Sequence, residues 1–278
     1  MKLRTKKGAI LCAAAAAGLT AGLIWANSAL MTQEYILSSP MLPAAFSGYR
    51  IAQVSDLHNT EFGQDNSRLL ERLADAKPDL IVVTGDLLDS RRTDLDAALR
   101  FGQAAVAVAP VCYVPGNHEG RIPEIYAQLK QGLEEAGVTV LEDERTTLVR
   151  EDAQIALIGL RDVLNETEAG IQARLAGLVS PEDEFQILLA HRPELFPAYA
   201  NCGLDLIFSG HAHGGQVCLP IVGGLIAPNQ GLFPTYQAGL YREGESTMVV
   251  SRGLGNSLCP LRVNNRPELV VVELRALP

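Results

Sequence analysis

The chain predicts an α/β fold with a mixed sheet arrangement, and three observations carry that expectation. Short, continuous apolar runs recur along it, as buried central strands require. Segments of helical period alternate with these runs. Five runs end on the same kind of polar cluster: Ser-Asp-Leu-His at 55–58, Thr-Gly-Asp at 84–86, Gly-Asn-His-Glu at 116–119, Ala-His-Arg-Pro at 190–193 and Gly-His-Ala-His-Gly-Gly-Gln at 210–216.

The elements follow in chain order. Lys2, Arg4, Lys6 and Lys7 precede an uncharged stretch from Gly8 to Met31, rich in Ala, Leu, Ile and Gly. About twenty helical residues cross a bilayer core. Residues 1–31 are therefore expected to form a transmembrane signal anchor, with the basic end inside and the remaining chain outside the cell membrane. The alternative is a cleaved signal peptide, cut near Ala26-Asn27-Ser28, which would leave a secreted protein. Residues 32–49, with Pro40 and Pro43, read as an extended lead-in to one domain spanning 32–278.

Arg50–Ser55 reads as a strand. Leu69, Leu70 and Leu73 share a helical face, and Lys77-Pro78-Asp79 ends that helix. Leu80–Thr84 and Val111–Val114 are strands flanking a helix over Leu95–Val108. Ile122–Ala136 is a helix closed by Gly137. Val138–Leu141, Thr147–Val149 and Ile155–Leu160 are strands, and Glu166–Leu178 a helix. Phe185–Ala190 and Leu204–Ser209 are strands around a helix at Pro193–Ala200. Residues 220–244, rich in Gly and Pro, read as a long loop bordering the pocket. Met248–Ser251 and Leu269–Leu274 close the domain.

The 278 residues are 47% hydrophobic, enough for a sizeable core. Net charge is −9, and without the four N-terminal basic residues the remainder carries about −13. Such a surface repels phosphate backbones, so general nucleic-acid binding is not expected. Cys12, Cys112, Cys202, Cys218 and Cys259 form no C-x-x-C pair and no disulfide framework. Cys112 sits in an apolar run as a core thiol, and one disulfide among the later four stays open.

The clusters hold every histidine in the chain: His58, His118, His191, His211 and His213. Strands of an open α/β sheet deliver functional residues at their carboxyl ends, so Asp56, Asp86, Asn117, His191 and His211 should converge. Alternation along an extended segment would pair Asp56 with His58, and His211 with His213. Asp, Asn and His together offer a mixed oxygen and nitrogen environment suited to Mn, Fe, Zn, Ni or Co. The set exceeds what one ion needs. Two divalent ions sharing the Asp86 carboxylate account for the excess.

Asp-x-His (56–58), Gly-Asp (85–86), Gly-Asn-His-Glu (116–119), His191 and Gly-His-x-His (210–213), in this order, resemble the calcineurin-like metallophosphoesterases. The subgroup the chain resembles is the exported or membrane-attached bacterial phosphoesterases. The similarity runs from roughly Tyr35 to Leu274 and includes Ser-Arg-Gly-Leu-Gly (251–255) and Arg-Pro-Glu-Leu (266–269). It implies a four-layer αββα sandwich. It assigns Asp56, His58, Asp86 and His213 to one metal, and Asp86, Asn117, His191 and His211 to the other. His118 then stands beside the metals without binding them. Ala212 replaces a common Thr, and Arg161-Asp162 replaces a frequent pair of acids.

The expected activity is hydrolysis of phosphomono- or diesters by in-line attack of a hydroxide bridging two metals. His118 would offset phosphoryl charge and protonate the leaving oxygen. The substrate could be linked to a lipid or to the envelope. Arg252, Asn256 and Arg262 are candidate anion contacts. Two alternatives remain at this point: a pyrophosphohydrolase of a nucleotide-linked lipid precursor on the cytoplasmic face, and a non-catalytic metal-binding module.

Overall fold

The computed structural model describes residues 2–163, 165–180, 185–257 and 261–277. Cys259, one of the cysteines for which a disulfide stayed open, lies outside the described residues. After the helix α1 (Lys2–Ser28), two six-stranded sheets dominate. The first contains β1 (Met31–Ser39), β2 (Arg50–Val54), β3 (Leu80–Thr84), β4 (Val111–Val114), β5 (Thr139–Val140) and β16 (Glu268–Ala276), in the order β1-β16-β2-β3-β4-β5. The second contains β6 (Glu144–Arg150), β7 (Ala153–Gly159), β8 (Gln186–Leu189), β9 (Leu206–Ser209), β14 (Gly239–Glu243) and β15 (Ser246–Val250), in the order β14-β15-β9-β8-β7-β6. Both sheets are mixed. Strands β2, β3 and β4 run parallel side by side, as do β8 and β9.

Alternation along the strands explains the layers. Ile51, Val82, Cys112 and Val270 point from the first sheet into a shared core with Leu157, Ile187, Phe208 and Val249 of the second. Their neighbours Ala52, Val83, Tyr113 and Val271 face outward. There they meet Leu69 and Leu73 of α2 (Ser67–Ala76), Phe101 of α3 (Leu95–Ala105), and Leu129 and Leu133 of α5 (Pro123–Glu135). On the other side Ile158, Leu188, Ile207 and Met248 pack against Ile171 and Leu175 of α6 (Glu168–Leu175) and Phe196 and Tyr199 of α7 (Phe196–Ala200). The result is helix, sheet, sheet, helix. Strands buried on both faces are mostly apolar, which is why they read as nearly continuous runs. Asp94 caps α3 by accepting from Ala97 N at 3.0 Å, and Thr167 caps α6. Cys112 is buried between the sheets, and burial pushes its thiol up to about 11. Cys112, Cys202 and Cys218 are free thiols.

Three expectations need correction. Residues 32–49 are not simply a lead-in: Met31–Ser39 is an edge strand, paired in parallel with all of β16. Residues 220–244 are not one loop. They hold short hairpin strands, β11 (Gly223–Gly224) pairing with β10 (Cys218–Leu219) and β12 (Ile226–Ala227) with β13 (Gly231–Leu232), and then the edge strand β14.

The third concerns the membrane. Among the described residues no helix is long and apolar enough to cross one, so the expected single-pass membrane localisation, with its domain outside, is not supported. The end of α1 is bound to the domain instead. Ala26 is buried. Asn27 Oδ1 accepts from Arg262 N and Asn256 Nδ2, both at 2.9 Å, and the Arg266 guanidinium lies 4.6 Å over the Trp25 ring.

Candidate metal centre

The carboxyl ends of β2, β3, β4, β8 and β9 meet at one edge of the sandwich, and the seven expected ligands come together there, all buried. They fall into two sets. In the first, His58 Nε2 lies 3.2 Å from His213 Nε2, which lies 3.4 Å from Asp56 Oδ1. In the second, His191 Nε2 lies 3.1 Å from His211 Nδ1 and 3.2 Å from Asn117 Oδ1. Asp86 Oδ2 joins them, 3.6 Å from His58 Nε2 and 3.4 Å from His191 Nε2. Ligand atoms about 2.1 Å from one ion stand roughly 3.0–3.4 Å apart at octahedral or tetrahedral angles. Five of these six spacings fall in that range and the sixth, His58 to Asp86, is slightly longer, so the donor set fits two cations with Asp86 between them.

The convergence has a different local cause from the alternation expected of extended chain. Asp56, His58, Asp86, His211 and His213 all have positive φ, between 47° and 66°. This left-handed backbone is uncommon for residues with a Cβ and gathers at functional sites. It turns His211 and His213 away from each other, one into each set. Space is equally tight. A Cβ on Gly116 would collide with Asp86, and one on Gly210 with Asp56 and Ser55.

Backbone amides hold the carboxylates in place. Asp86 Oδ1 accepts from His118 N at 2.8 Å, which leaves Oδ2 for the centre. Asp56 accepts from Ser55 Oγ at 2.6 Å and from His211 N at 3.1 Å. Beneath them Glu119 is fully buried and accepts from three amides: Asp86 N at 3.0 Å, Leu88 N at 2.9 Å and Gly116 N at 2.8 Å. It clamps the ends of β3 and β4 together, and burial with the Asp86 charge pushes it up to about 7.

Burial pushes His58 and His213 down to about 3, and His211 well below its ordinary value. All three are therefore neutral near pH 7, the form in which imidazole ligates. His191 differs. Burial lowers it, but Asp86 more than reverses this and it stands at about 10, while His191 in turn holds Asp86 well below the usual carboxylate range against the effect of burial. A divalent cation would take the place of that proton, since ligation releases protons. His191 Nδ1 sits 2.8 Å from Thr84 O and donates to it, fixing the tautomer that leaves Nε2 toward the centre. Hydrogen bonding alone would favour turning the Asn117 amide so that its nitrogen faced His191 and His211. With the oxygen inward, its carbonyl points where their nitrogens point, an arrangement that a cation rewards.

His118 stands beside the first set, its ring edge-on to His58 at 4.5 Å. Its Nδ1 accepts from Ser90 N at 3.0 Å, so the neutral ring carries its proton on Nε2, which lies 3.0 Å from Ser257 Oγ. Nδ1 is 4.0 Å from Asp89. A cavity of about 100 Å³ opens here, lined among others by Asp86, His118, Arg121, Arg192 and Ser257.

A sequence profile described as calcineurin-like phosphoesterase matches residues 49–215, a stretch that includes every member of both sets. The chain belongs to the calcineurin-like phosphoesterases. It is accordingly a metal-dependent phosphoester hydrolase of a family that uses two divalent ions. The chain is 31% identical over 259 residues to the uncharacterized metallophosphoesterase YkuE of Bacillus subtilis, covering 88% of this chain and 85% of that one. It is 31% identical over 238 residues to the phosphodiesterase YaeI of Escherichia coli, covering 81% and 82%. The crystal structure of TT1561 of Thermus thermophilus shares the fold, with a TM-score of 0.53 at 15% identity over 75% of this chain and 91% of that one.

Three expected anion contacts are spent elsewhere. Arg262 is fully buried and donates to Asn256 Oδ1, Arg252 O and Gly255 O. Arg252 pairs with Glu268 at 3.1 Å. Asn256 bridges Arg262 and Asn27. These bonds tie the C-terminal segment to α1, and they direct the donors to protein acceptors rather than to the cavity. Arg121 and Arg192 line the cavity instead. Arg192 directly follows His191 and is not among the anion contacts expected from the sequence. Asp162 grips Arg192 with both oxygens, at 2.7 and 2.9 Å.

Proposed function

We propose that this phosphoesterase hydrolyses phosphodiesters, with the phosphoryl group bound over the centre and its leaving oxygen directed toward His118. Divalent cations bound there would supply Lewis acidity toward the phosphoryl oxygens and make a water more acidic. The chain's residues do the rest. Asp56, His58, Asp86 and His213 would hold one ion, and Asp86, Asn117, His191 and His211 the other. Backbone amides orient the carboxylates, and Thr84 O orients His191. The Nε2–H of His118 can hydrogen-bond a phosphoryl or leaving oxygen and offset the charge that develops there.

The observation that carries this reading is the position of Asp86 Oδ2 between His58 and His191, within 3.6 Å of both. A dinuclear centre needs such a shared oxygen. The diester preference is supported by the similarity to the phosphodiesterase YaeI and by the space extending from the centre on one side. The test is hydrolysis of bis(p-nitrophenyl) phosphate and p-nitrophenyl phosphate by the full chain with manganese, zinc or nickel. The diester should be cleaved faster, and Asp86→Ala should abolish cleavage. Faster monoester cleavage would contradict the diester preference. Failure to cleave either with any metal would favour a binding module.

A further inference from the structure

Next to the centre lies a second, larger cleft of about 330 Å³, within the range of small-molecule sites. Asn117 and Arg121 line both spaces, so the cleft continues from the position expected for the phosphoryl group. One part of its wall is apolar: Pro115, Pro123, Tyr126 and Val163. The rest includes three carboxylates and two arginines, and these charges are unevenly matched.

Each carboxylate in the wall already has partners. Glu119 is fixed by three backbone amides. Glu142 lies 2.6 Å from Lys130 Nζ. Asp162 is held by Arg192. The two arginines of the wall, Arg121 and Arg161, are exposed, and neither pairs with a carboxylate among the described residues. In a chain of net charge −9, this leaves a cleft beside the centre with two uncommitted guanidinium groups. Guanidinium binds phosphate and carboxylate oxygens with paired N–H groups.

We infer that this cleft receives the alcohol half of the substrate, and that Arg121 and Arg161 select esters in which that half carries a second anionic group next to a ring or chain. The inference rests on the proposed phosphodiester hydrolysis, because it takes the phosphoryl group to sit over the centre. It makes Arg121 and Arg161 determinants of specificity and gives them no part in bond cleavage.

The test is a binding measurement, so it does not depend on turnover. The full-length, manganese-loaded protein is titrated in a calorimeter with two product analogues. One is thymidine bisphosphate, phosphorylated at both hydroxyls; the other is thymidine monophosphate, phosphorylated on the primary hydroxyl alone. The bisphosphate should bind about tenfold more tightly. Arg161→Gln should remove most of that advantage, Arg161→Lys should keep part of it, and the Arg121→Gln, Arg161→Gln pair should remove it. Equal affinities for the wild type, or an advantage that survives in the pair, would overturn the inference. Loss of diester hydrolysis with the tenfold ratio intact would sink the catalytic reading and spare the selectivity of the cleft.

Discussion

The first sheet brings oxygen as well as nitrogen to the centre: Asp56, Asp86 and Asn117, together with His58 and His118. The second sheet brings imidazoles alone: His191, His211 and His213. Their support differs in the same way. The turns after β2 and β3 hold each other, Asp56 N donating to Gly85 O and His58 N to Asp86 O, both at 3.0 Å, while Glu119 clamps β3 to β4. The second sheet's histidines lean on the first. His191 Nδ1 donates to Thr84 O, His211 N to Asp56, and Gln53 Nε2 crosses to Ser209 O at 2.9 Å. The carboxylate half is thus held mostly from within, with His211 N as its one named support from the other side, and the imidazole half is positioned against it. Damage to the first should spread to both ion sites, whereas damage to the second should stay local.

Asp86→Ala should give the largest effect. It removes the one oxygen common to both sets, so metal content by mass spectrometry should fall for both ions and activity by about ten-thousandfold, as expected when a shared ligand is lost. Loss of a single ion would show that the halves bind independently. His118→Ala should lower turnover about a thousandfold with both ions retained, the effect of removing a positioned hydrogen-bond donor to developing charge. His118 also lies within ligand reach of His58 and Asp86, so loss of an ion in this variant would reassign it as a ligand.

Glu119→Ala leaves three buried amides of the carboxylate half without an acceptor. Chemical denaturation should show a loss of about 3 kcal/mol. A change below about 1 kcal/mol would show that the clamp is dispensable. The smallest effect is expected for Gln53→Leu, which cuts one tie between the sheets. Stability should fall by about 1 kcal/mol, with weakened affinity confined to the ion held by His191 and His211. Equal weakening of both would contradict the unequal dependence.

Much of the carboxylate half is legible in the sequence. Arg50–Val54, Leu80–Thr84 and Val111–Val114 are apolar runs with ligand-type residues at their ends, and local composition suffices to place them. The sorting of ligands is less accessible from the residues themselves. Simple alternation puts His211 and His213 together, but positive φ at both sends them to opposite sets. That backbone is imposed by tertiary contacts such as His211 N to Asp56, made across 155 residues of chain.

The misread segments share this dependence on distant partners. Met31–Ser39 has few buried positions and becomes a strand through its pairing with β16 at the other end of the chain. Arg252, Asn256 and Arg262 have the right chemistry for an anion, yet each bonds to protein acceptors, and Arg262 is fully buried. The uncharged N-terminal run suggests a bilayer by its length, yet its last turn is bound to the domain through Ala26 and Asn27. Arg161 is marked in the sequence only by standing where the resembled subgroup often has an acid, and Arg121 gives no signal as a binding group, because surface arginines are ordinary until the wall around them is known.

The most direct test is anomalous X-ray scattering from crystals of the full chain soaked with manganese. Two peaks about 3.5–4 Å apart are expected, one against Asp56, His58 and His213, the other against Asn117, His191 and His211, with an Asp86 oxygen touching both. A single peak, or a pair that does not share Asp86, would contradict the account.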